Sequence, residues 1–363
     1  MVYPYSAAFY TFILLITTFL AVLEELVDKR LKGIILVSII LILALSAGFR
    51  GAAVGRDTMA YMNIIESCRG GYSGSVNHHV EKGFVFLIKS ILFIHDDPQF
   101  VLFIIALIIN TLIISRIYSV RNKISFPFSV FSYVALYYLA TYSGIRQWVA
   151  IAIIFFATKY VFKHKYIKFS IFVLVATAVH NSGIVALLYI PLDMFFLDRN
   201  EVKYKKLFKA SIILSPFIIF LFFIIIAKSG MADKYNHLLS DDYKSYKLGL
   251  SIFAKTGLTI LIIMFIKPKD YRFEDKSFYK KVLLVYLLGL GINFSGYFYK
   301  NIFRIGWYFI IYEVIFFSMV AKTKKSKCLL RYMIIFIIVY LFYRGLSGSD
   351  VSQMPYIPYW QHY

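Results

Sequence analysis

The chain has 363 residues, of which 60% are hydrophobic, 19% aromatic and only 16% charged, against roughly 25% charged in soluble domains, so an ordinary soluble globule is excluded. The formal charge of +21 would suggest nucleic acid in a soluble protein. Here most lysines sit in short loops between apolar blocks, where they set topology against an anionic leaflet, and no nucleic-acid partner is expected.

About ten spans of bilayer length are predicted, near 5–23, 33–49, 99–118, 126–142, 145–162, 210–227, 249–266, 282–299, 302–321 and 331–346. The first lacks a basic n-region and a small-residue cleavage site, which reads as a retained helix. Basic loops at 24–32, 116–123, 159–168, 198–206, 267–281 and 322–327 belong in the cytoplasm by the positive-inside rule, which puts both termini outside. Two apolar stretches do not fit single crossings. The stretch 83–94 is short and contains Lys89, so a half-inserted helix is expected. The stretch 171–192 would invert the later basic loops if it crossed once. A hairpin of two short helices, broken at His180-Asn181-Ser182-Gly183, keeps them inside. Irregular backbone at that depth is tolerated against protein or a wet cavity. The expectation is one all-α, polytopic transmembrane domain over 1–363. Polar segments 50–82 and 228–248 and an aromatic tail, 347–363, lie on the outer face. Cys68 and Cys328 fall on opposite sides, which argues against a disulfide between them.

Arginines are unexpectedly frequent on that outer face: Arg50, Arg56, Arg69, Arg146, Arg304 and Arg344. Guanidinium groups near hydrocarbon are costly and repel one another. A shared anion would gather them, and a phosphate or pyrophosphate suits the planar guanidinium fork. The competing reading is that each snorkels to lipid headgroups. Gly48, Gly51 and Gly55 would let backbone approach a ligand. Asp57 is either the N-cap of a short helix or a base. Glu81 is either a helix-start carboxylate or a general base. His180, at the break of the hairpin, is the first choice for a base near neutral pH. The pairs Asp96-Asp97 and Asp241-Asp242 read as solvated loop residues. The chain has no GxxxxGK[ST], HExxH or CxxC pattern, and neither a metal nor a cofactor is called for.

The ordered motifs R-x4-G-R-D-T-x2-Y (50–61), E-K-G-F (81–84), I-R-Q (145–147), H-N-S-G (180–183) and F-R-I-G-W-Y-F (303–309) carry a resemblance. The chain resembles the EpsG-like group of Wzy-type bacterial polysaccharide polymerases over nearly its whole length. Arg56 stands at a position expected to vary, and the tail is unusually aromatic. The resemblance implies a helical bundle of the GT-C kind in the bacterial inner membrane with a periplasmic active site. It also implies polymerisation of undecaprenyl-pyrophosphate-linked oligosaccharide repeat units of an O-antigen, capsule or exopolysaccharide. The bilayer and these lipid-linked sugars are the expected partners, with a chain-length regulator as a further candidate. On this reading Arg146 and Arg304 hold the donor pyrophosphate. Arg50 and Arg56 hold a second pyrophosphate or gate the cavity. His180, with Glu81 and Asp57 behind it, is the base, and Tyr61, Trp307 and Tyr308 pack on sugar faces. A flippase for the same lipids, a surface-glycan ligase or an acyltransferase are the alternatives.

Overall fold

The computed structural model describes residues 4–70, 80–194, 250–266, 273–295, 302–323, 328–347 and 355–360. The expected crossing at 210–227, the loop 228–248 and Asp241-Asp242 lie outside them. Among the described residues the ordered elements are helices, joined by one isolated antiparallel bridge between Arg50 and Pro358. The protein is an all-α, multi-pass membrane protein.

Two long helices, α1 (Pro4–Leu26) and α2 (Lys29–Gly48), form an antiparallel pair. Two shorter helices, α3 (Thr58–Arg69) and α4 (Lys82–Ile94), follow. At 13 residues α4 is about 20 Å long, too short for a hydrocarbon core of ~30 Å, as its length and Lys89 suggest. Asp97 accepts from Phe100 N at 2.6 Å and so caps α5 (Pro98–Tyr118), which packs on α2. Helix α6 (Phe126–Tyr133) loosens into a π turn, Val134–Tyr138, and a 3-10 turn, Leu139–Tyr142. Helix α7 (Ile145–Val161) runs through the centre, with Trp148, Ile151 and Ile154 fully enclosed. A hydrophobic drive is weak among lipids, so such packing, with buried polar contacts, holds the helices together.

The hairpin is present. Helix α8 (Tyr166–Val179) ends at His180, a 3-10 run covers Asn181–Leu188, and α9 (Tyr189–Met194) returns. The two open ends meet where His164 Nδ1 lies 2.6 Å from Asp193 Oδ2. Both arms therefore begin and finish at one end of the bundle. Among the described residues four further helices follow: α10 (Leu250–Phe265), α11 (Phe273–Ser295), α12 (Ile302–Ile310) and α13 (Glu313–Lys322). The last, α14 (Cys328–Ser347), precedes the tail. Helix α11 starts well before the expected span at 282. Nothing after Pro268 breaks a helix there, and Lys281 is drawn in by Asp193 at 2.6 Å. The expected span at 302–321 is present as the apolar run Phe303–Lys322, with a two-residue irregularity at Ile311-Tyr312 between α12 and α13.

The described basic loops collect at the open end of the hairpin, beside His164 and Asp193. Lys32 pairs with Glu24 at 3.1 Å, Tyr118 donates to Glu24 at 3.0 Å, and Lys322 reaches Asn122 O at 2.6 Å. The chain segments at 49–57, 81, 143–146 and 180–182 gather at the other end.

Candidate active site

Helix α4 can reach the hairpin tip because residue 83 has no side chain. A methyl group there would lie 2.5 Å from Ala178 O, inside any real contact. The first turn of α4 thus rests on the last turn of α8, and Glu81, just before α4, meets His180, just after α8. Glu81 Oε1 lies 2.9 Å from His180 Nδ1 and accepts from Asn181 N at 3.3 Å. Glu81 Oε2 accepts from Arg146 Nη1. The Tyr61 hydroxyl adjoins the same guanidinium.

Burial alone would raise the carboxyl pKa of Glu81. The hydrogen bond from His180 and the charge of Arg146 outweigh that and hold it down to about 2. Glu81 is therefore an ionised acceptor, not a proton carrier near neutrality. An ionised carboxylate only accepts, so Nδ1 of His180 carries the proton toward it and Nε2 keeps its lone pair in the neutral ring. The Glu81 side chain is 9% exposed, whereas those of Arg146 and His180 are 23% and 26% exposed. The acid is the inner member, and the two groups it orients face outward.

Arg146 opens α7, and the chain enters that helix through Gly144 at φ +65°, a left-handed conformation. Asp57 Oδ2 accepts from Gly144 N at 3.0 Å. Asp57 precedes α3, but its side chain makes no cap for that helix; it fixes the entry to α7 instead. Gly55, at φ +96°, turns the same loop past Tyr142. Arg56 is exposed, and its backbone N donates to Ser143 Oγ at 3.0 Å.

Helix α12 closes the other side. Gln147 Nε2 donates to Arg304 O at 2.8 Å, the Trp148 and Trp307 rings lie 5.5 Å apart, and Ser182 Oγ meets Tyr308 Oη at 3.0 Å. Arg304 is exposed, and its guanidinium has no hydrogen-bond partner among the described residues.

The expected residues thus separate. Glu81, His180, Arg146 and Tyr61 form one cluster, and Arg304 and Trp307 stand on the adjoining helix. Arg50 lies elsewhere. It is 2% exposed, donates to Ala47 O, Tyr142 O, Val54 O and Thr58 Oγ1, and stacks on Tyr142 at 4.7 Å. Its donors are spent on protein, and Gly51 N to Ile357 O at 2.7 Å ties the same segment to the tail. Tyr61 and Tyr308 are buried and offer hydroxyls, not ring faces, whereas Trp307 is half-buried. Arg69 pairs with Asp96 at 2.9 Å, and Arg344 is exposed on α14. Sequence reasoning named Glu81, His180 and Arg146 separately but not as one hydrogen-bonded unit. The glycine two residues after Glu81 was the available signal.

The arrangement presents an oriented imidazole beside a guanidinium in a bilayer-embedded bundle, which suits proton removal next to a bound anion. No curated protein and no solved structure matches the chain. The model of the EpsG family matches residues 33–360. The chain therefore belongs to the EpsG family, a Wzy-like family of polysaccharide polymerases.

Proposed function

We propose that the protein polymerises oligosaccharide repeat units carried on undecaprenyl pyrophosphate, at the outer face of the bacterial inner membrane. The observation that carries this is the Glu81 carboxylate holding His180 with one oxygen and Arg146 with the other. Gathering of the described basic loops at the opposite end supports an outward-facing site, since such loops stay in the cytoplasm.

In the proposed step, His180 Nε2 takes the proton of the acceptor sugar hydroxyl. That oxygen bonds to the anomeric carbon of the donor chain. The bond from the anomeric carbon to the pyrophosphate oxygen breaks, and its electron pair leaves with the undecaprenyl pyrophosphate. A single displacement inverts the anomeric centre. Glu81 fixes the ring orientation and stabilises the imidazolium. Arg146 and the exposed Arg304 bind the leaving pyrophosphate as its charge grows, an interaction strongest in the transition state. Guanidinium groups supply that charge in place of a metal. Asp57 sets the entry to α7, Arg56 lies on the loop beside it, and Trp307 offers an apolar face to a sugar.

The test is polymerisation by purified protein given defined lipid-linked repeat units, with and without chelator. The reading expects polymer in both conditions and inversion at the new linkage. Arg146→Lys, which keeps the charge but loses the fork, is expected to lower kcat by about 10²-fold at normal protein level. Full activity in Arg146→Lys, or dependence on a divalent ion, would overturn the assignments.

A further inference from the structure

A deeply buried ion pair lies outside the catalytic cluster. Lys255 Nζ of α10 lies 2.6 Å from Glu313 Oε1 at the start of α13. Glu313 is fully buried, and the Lys255 side chain is 14% exposed. At 1.5 Å per residue the pair sits about 13 Å below Arg304, within apolar helices where ionisable groups are costly. Stability is a poor explanation for it. The Tyr286 hydroxyl adjoins the carboxylate, but Glu313 Oε2 makes no well-aligned hydrogen bond among the described residues, and a buried pair left partly unsatisfied does no better than apolar side chains of similar size.

The pair stands where two helices are irregular. The helix through 302–322 breaks at Ile311-Tyr312, and the π turn Val134–Tyr138 faces the break. At the break Tyr312 N turns back to Phe309 O at 3.1 Å and Val314 N to Ile311 O at 3.2 Å. The carbonyls of Tyr308 and Ile310 are thereby released from their ordinary helical donors. Two tyrosines take them: Tyr189 Oη donates to Tyr308 O at 2.6 Å, and Tyr137 Oη lies 3.0 Å from Ile310 O. Tyr137 Oη is also 2.6 Å from Glu313 Oε1. It has one proton for two acceptors. The Tyr137 hydroxyl thus bridges the Ile310 carbonyl and the Glu313 carboxylate, and the Lys255 ammonium on the same oxygen balances the carboxylate charge that competes for its proton.

We propose that Lys255 and Glu313 are positioning residues which, through Tyr137, hold the break that aims α12 and its Arg304 and Trp307 at the catalytic cluster. The proposal rests on the polymerase reading for its kinetic consequence but not for its geometric one. The same tyrosine ring packs on Trp148 at 5.9 Å, and Trp148 packs on Trp307, so the pair and the site share one run of contacts.

The test compares Lys255→Met, Glu313→Leu and the two together in purified protein. Each single change strands a buried charge or its counterpart and lowers Tm. The double change removes both charges and restores Tm. The proposal expects it nevertheless to lower kcat by about 10–100-fold, with Lys255→Arg retaining most activity. A second readout is independent of catalysis. In a Cys68→Ala, Cys328→Ala background, Arg304→Cys is labelled with an impermeant maleimide, and the double change is expected to alter the rate by about threefold or more. If the double variant fails to fold, Tyr137→Phe, which deletes one hydroxyl, carries both measurements. Recovery of Tm with wild-type kcat and an unchanged labelling rate overturns the inference. If the wild-type protein itself makes no polymer, the polymerase reading fails and the labelling rate alone decides this one.

Discussion

The two oxygens of Glu81 face different partners, and that division sets what a substitution does. Glu81→Gln keeps the size but replaces a carboxylate acceptor with a neutral amide. His180 then loses the charge that orients its ring and stabilises its protonated form, and Arg146 loses its counter-charge. A fall in kcat of about 10²-fold or more is expected for polymerisation. The carboxyl is held near 2 against an ordinary 4.5, so its ionised form contributes to stability. That contribution is complete above the ordinary value and is lost as pH falls through the folded one. The Tm gap between wild type and Glu81→Gln is therefore widest at neutral pH and closes between 4.5 and about 2. A gap that persists unchanged at low pH would show that Glu81 acts through shape alone. Arg50 illustrates the reverse case. Its motif position suggested a ligand contact, but burial gave each of its three nitrogens a protein oxygen.

At the scale of elements, the site depends on how closely α4 approaches α8. Gly83→Ala adds a methyl group 2.5 Å from the Ala178 carbonyl, and backbone cannot yield as a flexible side chain would. The helices must separate, which lengthens the Glu81–His180 contact. The expected result is a loss of stability of about 1–3 kcal/mol together with a drop in activity. Gly257→Ala is the control, because nothing lies within 4 Å of its added methyl. Equal effects of the two changes would remove the packing argument. The same scale holds a detail that pattern reading does not show. Apolar residues on both sides of Ile311-Tyr312 mark one span near 302–321, which the structure has, but not the irregularity within it. The break exists because tyrosines on other elements take the released carbonyls, and no local propensity encodes them.

For the whole molecule, the hairpin and the half-inserted helix make a topological prediction. Reporter fusions after His164 and after Met194 should read the same side, cytoplasmic, and a fusion near Gly55 should read the outer side. A cytoplasmic Gly55 would place Arg146 and His180 on the wrong face for the proposed chemistry. Sequence alone was enough for the membrane class, the approximate spans described here, the hairpin at His180 and the short helix at 82–94. Hydrocarbon thickness and the sorting of lysines are properties of composition along the chain, and they act one segment at a time. The ordered motifs pointed to the family for the same reason, being local strings. Tertiary structure alone decided which arginines converge: Arg146 joins Glu81 and His180, Arg304 stands open beside them, and Arg50 is consumed inside the protein. A guanidinium near a helix end reads alike in sequence whether it meets a lipid, a ligand or a backbone carbonyl. Only the packing of distant segments determines which oxygen lies within its reach.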